Sequence, residues 1–217
     1  MNFILIAIIV LNIVISMKGF QDMRFFEKYK FNVAAVQRGE YIRLISAGFL
    51  HGSWSHLLFN MLTLYFFAPI AIQAFGEIGF LIIYLGSIIL GNYFCQYLYK
   101  KQSWYSAIGA SGGVSGVLFA AIAILPEIGI YLFFIPIPIP GYIFGAVYFG
   151  YSVYMMLNPN PQDQVGHAAH LGGAFFGLAY AVANQPEVAM SHSWQLTIMA
   201  LPLIYLGYEI IVKKRIG

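Results

Sequence analysis

The chain has 217 residues, of which 60% are hydrophobic, 18% are aromatic and only 9% carry a formal charge. Soluble domains contain about 25% charged residues, so this composition excludes a separate soluble or nucleotide-binding domain. Eleven Lys and Arg against eight Asp and Glu give a net charge of +3, and the mean hydropathy is +0.77. The low content of charged residues and the positive mean hydropathy predict a protein that lies almost entirely in a membrane.

Apolar segments long enough to cross a bilayer follow one another along the whole chain. A membrane-spanning helix needs about 20 apolar residues. The runs free of Asp, Glu, Lys and Arg are 1–17, 44–76, 78–99, 102–126, 128–162, 164–186 and 188–208. We therefore predict an all-α polytopic membrane protein.

The predicted helices are joined by one long polar segment and several short connections. The first helix occupies about residues 2–17, and the segment 18–43 after it holds six of the eleven basic residues. Alternating Ile and Pro predict that 135–140 is extended, because proline interrupts a helix, and that 131–140 is a surface segment. The further helices are predicted within 53–75 and 78–99, from about 109 to before 127, from about 141, at about 166–183 and at 194–212.

Polar residues form three clusters on otherwise apolar helices. Ionisable residues inside membrane spans are rare, and each is a functional candidate. The second, fourth and sixth helices cross the membrane in the same direction, so clusters in their first turns lie at the same depth on the same side. The clusters are His51, His56 and Asn60 at the second helix, Ser111 and Ser115 on the fourth, and His167 and His170 on the sixth.

Small residues predict close packing of the fourth helix on the sixth. Glycines four residues apart let two helices approach closely. Such a contact brings a serine hydroxyl within reach of a histidine, which is the minimum for an activated nucleophile. Free N–H groups in the first turn of the fourth helix, and side chains of the second, can donate to a developing oxyanion. The glycine pairs are Gly112 with Gly116 and Gly173 with Gly177.

Three strings in this chain resemble motifs of the rhomboid family of intramembrane serine proteases. Gly-Ala-Ser-Gly-Gly-Val at 109–114 resembles the family's Gly-x-Ser-Gly motif, and Ala-His-Leu-Gly-Gly at 169–173 resembles its Ala-His-x-x-Gly motif. The spacing of His51, His56 and Asn60 resembles its second-helix signature. The resemblance implies a single rhomboid-like membrane domain over 1–217, with a six-helix core at about 43–183 and an extra C-terminal helix at 194–212.

The resemblance also implies an activity, cleavage of transmembrane proteins near the membrane surface. It assigns Ser111 as the nucleophile and His170 as the general base, with no acidic third member. It assigns the backbone N–H of Ser111, with His56 and Asn60, to an oxyanion hole beside Gly109. Transmembrane substrates and the lipid bilayer are the implied partners, without a metal, a cofactor, a nucleotide or a nucleic acid. The loop 157–166 is predicted to cover this site.

Two residues of the clusters leave alternatives open. Ser115 stands where the family has an aromatic residue, four positions after the nucleophile, and its own Gly-x-Ser-Gly string makes it the rival nucleophile. His167 rivals His170 by type, but the Leu-Gly-Gly after His170 selects that residue, and His167 is predicted to form a hydrogen bond at a loop edge. The alternative functions are a catalytically inactive rhomboid-like binder of membrane proteins and a histidine-lined metal or proton transporter.

The basic residues and the resemblance imply opposite orientations. With seven spans, the segments 18–43, 100–101 and 213–215 lie on the side of the predicted site and hold all eleven basic residues. The positive-inside rule places that side in the cytoplasm. The resemblance implies a cytoplasmic N-terminus and a site that opens outward. We predict the orientation that the resemblance implies, in a bacterial cell membrane.

Overall fold

A computed structural model describes residues 2–131, 136–160, 162–163 and 165–215, and these residues are mainly helical. By length and composition, three of their helices can cross a membrane, α1, α5 and α10, and α6 and α7 are shorter apolar helices. The helices are α1 (Phe3–Gln21), α2 (Met23–Tyr29), α3 (Val33–Gln37), α4 (Arg43–Ser46), α5 (Trp54–Leu98), α6 (Ser111–Ile124), α7 (Gly141–Leu157), α8 (His167–Asn184), α9 (Pro186–Ser191) and α10 (Ser193–Ile211). The predicted all-α polytopic membrane fold is confirmed.

The predicted second and third helices are the two arms of α5, residues 54–75 and 77–98. They meet at Gly76, whose φ of 73° and ψ of 175° are non-helical. A positive φ of this kind favours glycine, because a Cβ atom would strain the backbone. The first arm ends beside the end of α8, where the Gln185 side chain donates to the Ala74 carbonyl at 3.1 Å. Residues 54–75 and 77–98 are therefore two helices that meet at a kink, as the sequence predicted.

Glycines set the distances between α6, α8 and the second arm of α5. All residues of α6 from 112 to 123 are buried, so α6 is the central helix. A Cβ on Gly173 would collide with the Gly112 carbonyl oxygen, and one on Gly177 would collide with the Gly116 carbonyl oxygen. The predicted packing of the fourth helix on the sixth through paired glycines is confirmed, and it is a contact between backbones.

Arg43 folds the polar segment 18–43 into a compact connection. Its guanidinium donates to the main-chain carbonyls of Glu27 and Lys30, both at 2.8 Å. It also pairs with the Glu40 carboxylate at 2.8 Å. This hydrogen bond from Arg43 holds the pKa of the Glu40 carboxyl below its usual value. The segment is thus an organised cap on the end of the bundle that carries the site.

Short antiparallel strand pairs close two of the connections. β1 (Phe31–Asn32) pairs with β2 (Ser106–Ala107), which joins the polar segment to the chain before α6. β3 (Gly129–Ile130) pairs with β4 (Ile139–Pro140). The extended conformation predicted for 135–140 is confirmed at β4, and residues 132–135 of the predicted surface segment lie outside the described residues.

The helix α7 packs chiefly on α10 rather than on α8 or α6. The rings of Tyr142 and Trp194 lie edge to face with centroids 5.1 Å apart. A Cβ on Gly145 would lie 2.9 Å from the Met199 sulfur and 3.0 Å from the Phe119 ring. The predicted seventh helix is therefore present as α10, and it packs against α7.

Candidate active site

Ser111 and His170 meet where α6 and α8 begin. Ser111 is the first residue of α6, and His170 lies in the first turn of α8. His170 Nε2 lies 2.6 Å from Ser111 Oγ, and both residues are half-buried. The backbone contact between Gly112 and Gly173, each within three residues of the pair, sets this distance. The structure thus brings together the two residues predicted as nucleophile and base.

The N-terminus of α6 presents main-chain donors beside Ser111. Its N-cap residue is Ala110, which makes no side-chain capping hydrogen bond. The first hydrogen bond of the helix runs from the Val114 N–H to the Ala110 carbonyl at 2.9 Å. The N–H groups of residues 111–113 therefore have no acceptor within the helix. Free donors at a helix N-terminus favour a developing negative charge.

His51 holds the backbone that leads into α6. The Ala110 N–H donates to His51 Nε2 at 3.4 Å, so His51 Nδ1 carries the proton and donates to Ser16 Oγ at 2.8 Å. Ser16 in turn donates to the Phe49 carbonyl at 3.0 Å. His51 is fully buried. Sequence reasoning missed Ser16, although a hydroxyl in the apolar α1 was a visible signal.

The His56 ring packs against Gly109, two residues before the predicted nucleophile. A Cβ built on Gly109 would lie 2.7 Å from the His56 ring and 3.6 Å from Ser111 Oγ. Ser53 Oγ accepts from the His56 N–H at 3.1 Å and begins α5 here. The Asn60 amide donates to the His56 carbonyl within its own helix at 3.1 Å. His56 thus lies against Gly109, while an oxyanion role for His56 and for Asn60 stays a prediction.

We expect Gly109→Ala to lower activity at least about 10-fold. A rise of about 1.4 kcal/mol in the activation free energy slows a reaction tenfold, and two unfavourable effects combine at this position. Gly109 has a φ of 116°, which strains an alanine, and the added methyl would overlap His56. Gly39→Ala is the matched control, because Gly39 has a φ of 95° with no atom within 4 Å of its Cβ position. The initial rate of substrate cleavage measures the effect. Equal rates in both variants would contradict the contact with His56.

Ser115 and Tyr148 occupy the far side of the His170 ring. Ser115 Oγ lies 3.1 Å from Tyr148 Oη, and Tyr148 Oη lies 3.0 Å from His170 Nδ1. The Tyr148 and His170 rings are nearly parallel, 15° apart, with centroids at 6.4 Å. The hydrogen bond that the structure gives Ser115 is thus with Tyr148, whereas Ser111 contacts the base. No sequence motif had pointed to Tyr148.

His167 makes its hydrogen bond at the loop before α8. Its Nε2 lies 2.8 Å from an Asp163 carboxylate oxygen, and the Val165 N–H donates to the other oxygen at 2.9 Å. The Val165 bond, then the His167 bond, hold the pKa of the Asp163 carboxyl below its usual value of 3.8. This placement agrees with the loop-edge role predicted for His167. Residues 161 and 164 of the predicted covering loop lie outside the described residues.

The histidines do not gather into a metal site in the part of the chain that the structure describes. There, no three His, Cys, Asp or Glu side chains converge on one point. They occur as two pairs instead, with ring centroids 4.9 Å apart for His51 and His56 and 6.5 Å apart for His167 and His170. A divalent metal bound by imidazoles needs three or four convergent ligands.

Comparison with known proteins places this geometry among relatives. A family model described as "Rhomboid domain" matches residues 38–186, more than half of the chain. The chain is 36% identical over 100 residues to "Putative rhomboid protease YdcA" of Bacillus subtilis, a match that covers 46% of this chain and 44% of that protein. It is 30% identical over 147 residues to "Rhomboid protein 1, mitochondrial" of Saccharomyces cerevisiae, covering 64% and 40%.

A human relative matches over a similar region. The chain is 30% identical over 141 residues to "Presenilin-associated rhomboid-like protein, mitochondrial" of Homo sapiens, covering 63% of this chain and 36% of that protein. The chain thus spans less than half the length of these three relatives. The family match contains Ser111, His170 and the helices that carry them. The chain belongs to the rhomboid family of multi-pass membrane proteins.

Proposed function

We propose that this protein is a serine endopeptidase that cuts transmembrane proteins within the membrane, near its surface. The observation that carries the proposal is the 2.6 Å distance between Ser111 Oγ and His170 Nε2 at the uncapped start of α6. A serine hydroxyl is a weak nucleophile until a neighbouring base takes its proton. Family membership supports the same activity.

The arrangement supports acyl transfer in two steps. His170 Nε2 takes the proton as Ser111 Oγ attacks the scissile carbonyl carbon, and the carbonyl oxygen becomes an oxyanion. The N–H groups of residues 111–113, which have no acceptor within the helix, and the His56 ring beside Gly109 are the proposed donors to that oxyanion. His170 then protonates the leaving amine, which departs and leaves an acyl ester on Ser111. Water, deprotonated by His170, hydrolyses the ester and restores both side chains.

The position of the site constrains the substrate. Ser111 and His170 lie at the first turns of their helices, so the scissile bond must come to the end of the bundle rather than its middle. A transmembrane helix keeps its carbonyls in internal hydrogen bonds, and a substrate must therefore unwind locally before attack. We propose that preferred substrates carry helix-breaking residues near the cut.

We propose one domain over 1–217 with its core at 43–183, in a bacterial cell membrane, with the site facing outward. The Bacillus subtilis relative supports this membrane, although the yeast and human relatives are named mitochondrial.

Lys101 is exposed and Cys95 is buried, so Lys101→Cys supplies one reactive thiol on the side of the site. We expect a membrane-impermeant maleimide to label this variant in intact cells, and labelling only after lysis would place the site in the cytoplasm.

Reconstitution tests the proposed activity directly. The protein is placed in liposomes with a fluorescent single-span substrate that carries a Gly-Gly pair near one end of its span. We expect time-dependent cleavage, mapped by mass spectrometry, and inhibition by a fluorophosphonate that forms a covalent adduct. Binding of the substrate without cleavage or adduct would favour the inactive membrane-protein binder. Metal uptake without cleavage would favour the transporter.

A further inference from the structure

The tyrosine hydroxyl behind His170 occupies the position that a third catalytic residue would need. His170 uses Nε2 toward Ser111 and has Nδ1 within 3.0 Å of Tyr148 Oη. For Nε2 to accept the serine proton, the neutral ring must carry its own proton on Nδ1. That N–H then needs an acceptor, and the phenol oxygen of Tyr148 is the group placed to accept it.

Ser115 determines which way the tyrosine hydroxyl points. A phenol has one O–H donor, and Ser115 Oγ lies 3.1 Å from Tyr148 Oη. When the phenol donates to Ser115, its lone pairs face His170 Nδ1 and favour the proton there. Without Ser115, the phenol is free to donate to Nδ1 instead, which moves the ring proton to Nε2 and removes the base. Ser115 is buried, with 5% of its surface exposed, so little water competes for its hydrogen bond with Tyr148.

Packing fixes the tyrosine in this place. Its ring lies nearly parallel to the His170 ring and contacts Phe119 of α6, with centroids 5.5 Å apart. Ser115 of α6 and Tyr148 of α7 are therefore joined by a hydrogen bond and held together by packing.

We propose that Tyr148, oriented by Ser115, is a positioning residue that holds His170 in the tautomer with a free Nε2. This proposal rests on the proposed function, since it concerns the base of that reaction. It adds an uncharged third member to the pair, which neither the family match nor the sequence motifs assign. Tyr148 touches neither the nucleophile nor the scissile bond, and it acts only through His170.

Tyr148→Phe tests the proposal because it deletes one oxygen and keeps the ring. We expect the rate of fluorophosphonate adduct formation and kcat to fall about 10- to 100-fold, the range of a partly lost general base, with little change in KM. Tyr154→Phe is the matched control, because Tyr154 lies on the same helix with 62% of its surface exposed. A rate for Tyr148→Phe equal to that of Tyr154→Phe would overturn the proposal.

Two further measurements separate positioning from stability and from the proposed function. In Ser115→Ala we expect an intermediate loss of rate. In the double variant we expect no more than the loss of Tyr148→Phe alone, because both changes act through the Tyr148 hydroxyl. Additive losses would contradict the role of Ser115. Nitrogen-15 spectra of the histidine rings, with His170→Asn to assign the signal, should show a protonated Nδ1 in the wild type and a mixture in Tyr148→Phe. If Tyr148→Phe leaves the nitrogen-15 spectrum of His170 unchanged, the role of Tyr148 is overturned. If the wild type forms no fluorophosphonate adduct, the proposed protease function is rejected, and the spectrum still tests the role of Tyr148.

Discussion

Replacing Ser111 with alanine is expected to abolish both substrate cleavage and the fluorophosphonate adduct. Removal of the nucleophile in a serine protease lowers kcat on the order of 10⁶-fold, so cleavage should fall to the background of the assay. The reason is geometric, since Ser111 Oγ is the hydroxyl within 2.6 Å of His170 Nε2. Adduct formation followed by gel fluorescence, and cleavage of the single-span substrate, measure the loss.

Ser115→Ala is the matched control, because it removes a hydroxyl four residues along the same helix. We expect this variant to keep the adduct at a reduced rate, since Ser115 contacts Tyr148. His170→Ala should lose both activities to the same degree as Ser111→Ala, and the double variant should be no worse, because the two residues act as a unit. An adduct lost only in Ser115→Ala would show that Ser115 is the nucleophile.

Gly173→Ala is expected to lower the melting temperature by about 2–12 °C and to inactivate the protein. The added methyl would collide with the Gly112 carbonyl oxygen, and neither backbone can yield without separating α6 from α8. Overpacking of this kind costs about 1–3 kcal/mol, and each kcal/mol lowers the melting temperature by about 2–4 °C at this chain length. Activity should fall further than stability, because Gly112 follows the nucleophile and its displacement moves Ser111 away from His170.

Gly150→Ala is the control for this change, because Gly150 is a helical glycine of α7 with no atom within 4 Å of its Cβ position. Alanine is about 1 kcal/mol better than glycine inside a helix, so this variant should be as stable as the wild type or more so. Thermal unfolding in detergent and the cleavage rate at 25 °C are measured for both variants. An active Gly173→Ala with an unchanged melting temperature would contradict the backbone contact between α6 and α8.

The arrangement of the central helices could be predicted because it depends on properties that a sequence displays. Helix direction alternates with each crossing, so the parity of the second, fourth and sixth helices places Ser111 and His170 at one depth. Glycine spacing then indicates which helices touch, and the contact of Gly112 with Gly173 follows that spacing. The predicted second and third helices correspond to the two arms of α5, which meet at the kink at Gly76.

The surroundings of the base could not be predicted, because they depend on how each helix is rotated about its own axis. Tyr148 is one of several tyrosines on α7, and nothing in their spacing shows which one faces His170. The partnership of His167 with Asp163 likewise depends on the path of the loop before α8. The resemblance assigned an aromatic position next to the base along α6, whereas the ring that packs there comes from α7.

The hydrogen-bonded chain from Ser16 through His51 to Ala110 changes what counts as the smallest working unit. The match to the rhomboid domain begins at residue 38, so α1 lies outside the region that similarity defines. Yet α1 supplies the acceptor for His51, which in turn holds the backbone one residue before the nucleophile. A chain cut at residue 38 would keep every motif residue, but His51 would lose its hydrogen bond to Ser16. The hydrogen-bonded support of the site therefore begins in α1, before the first residue of the family match.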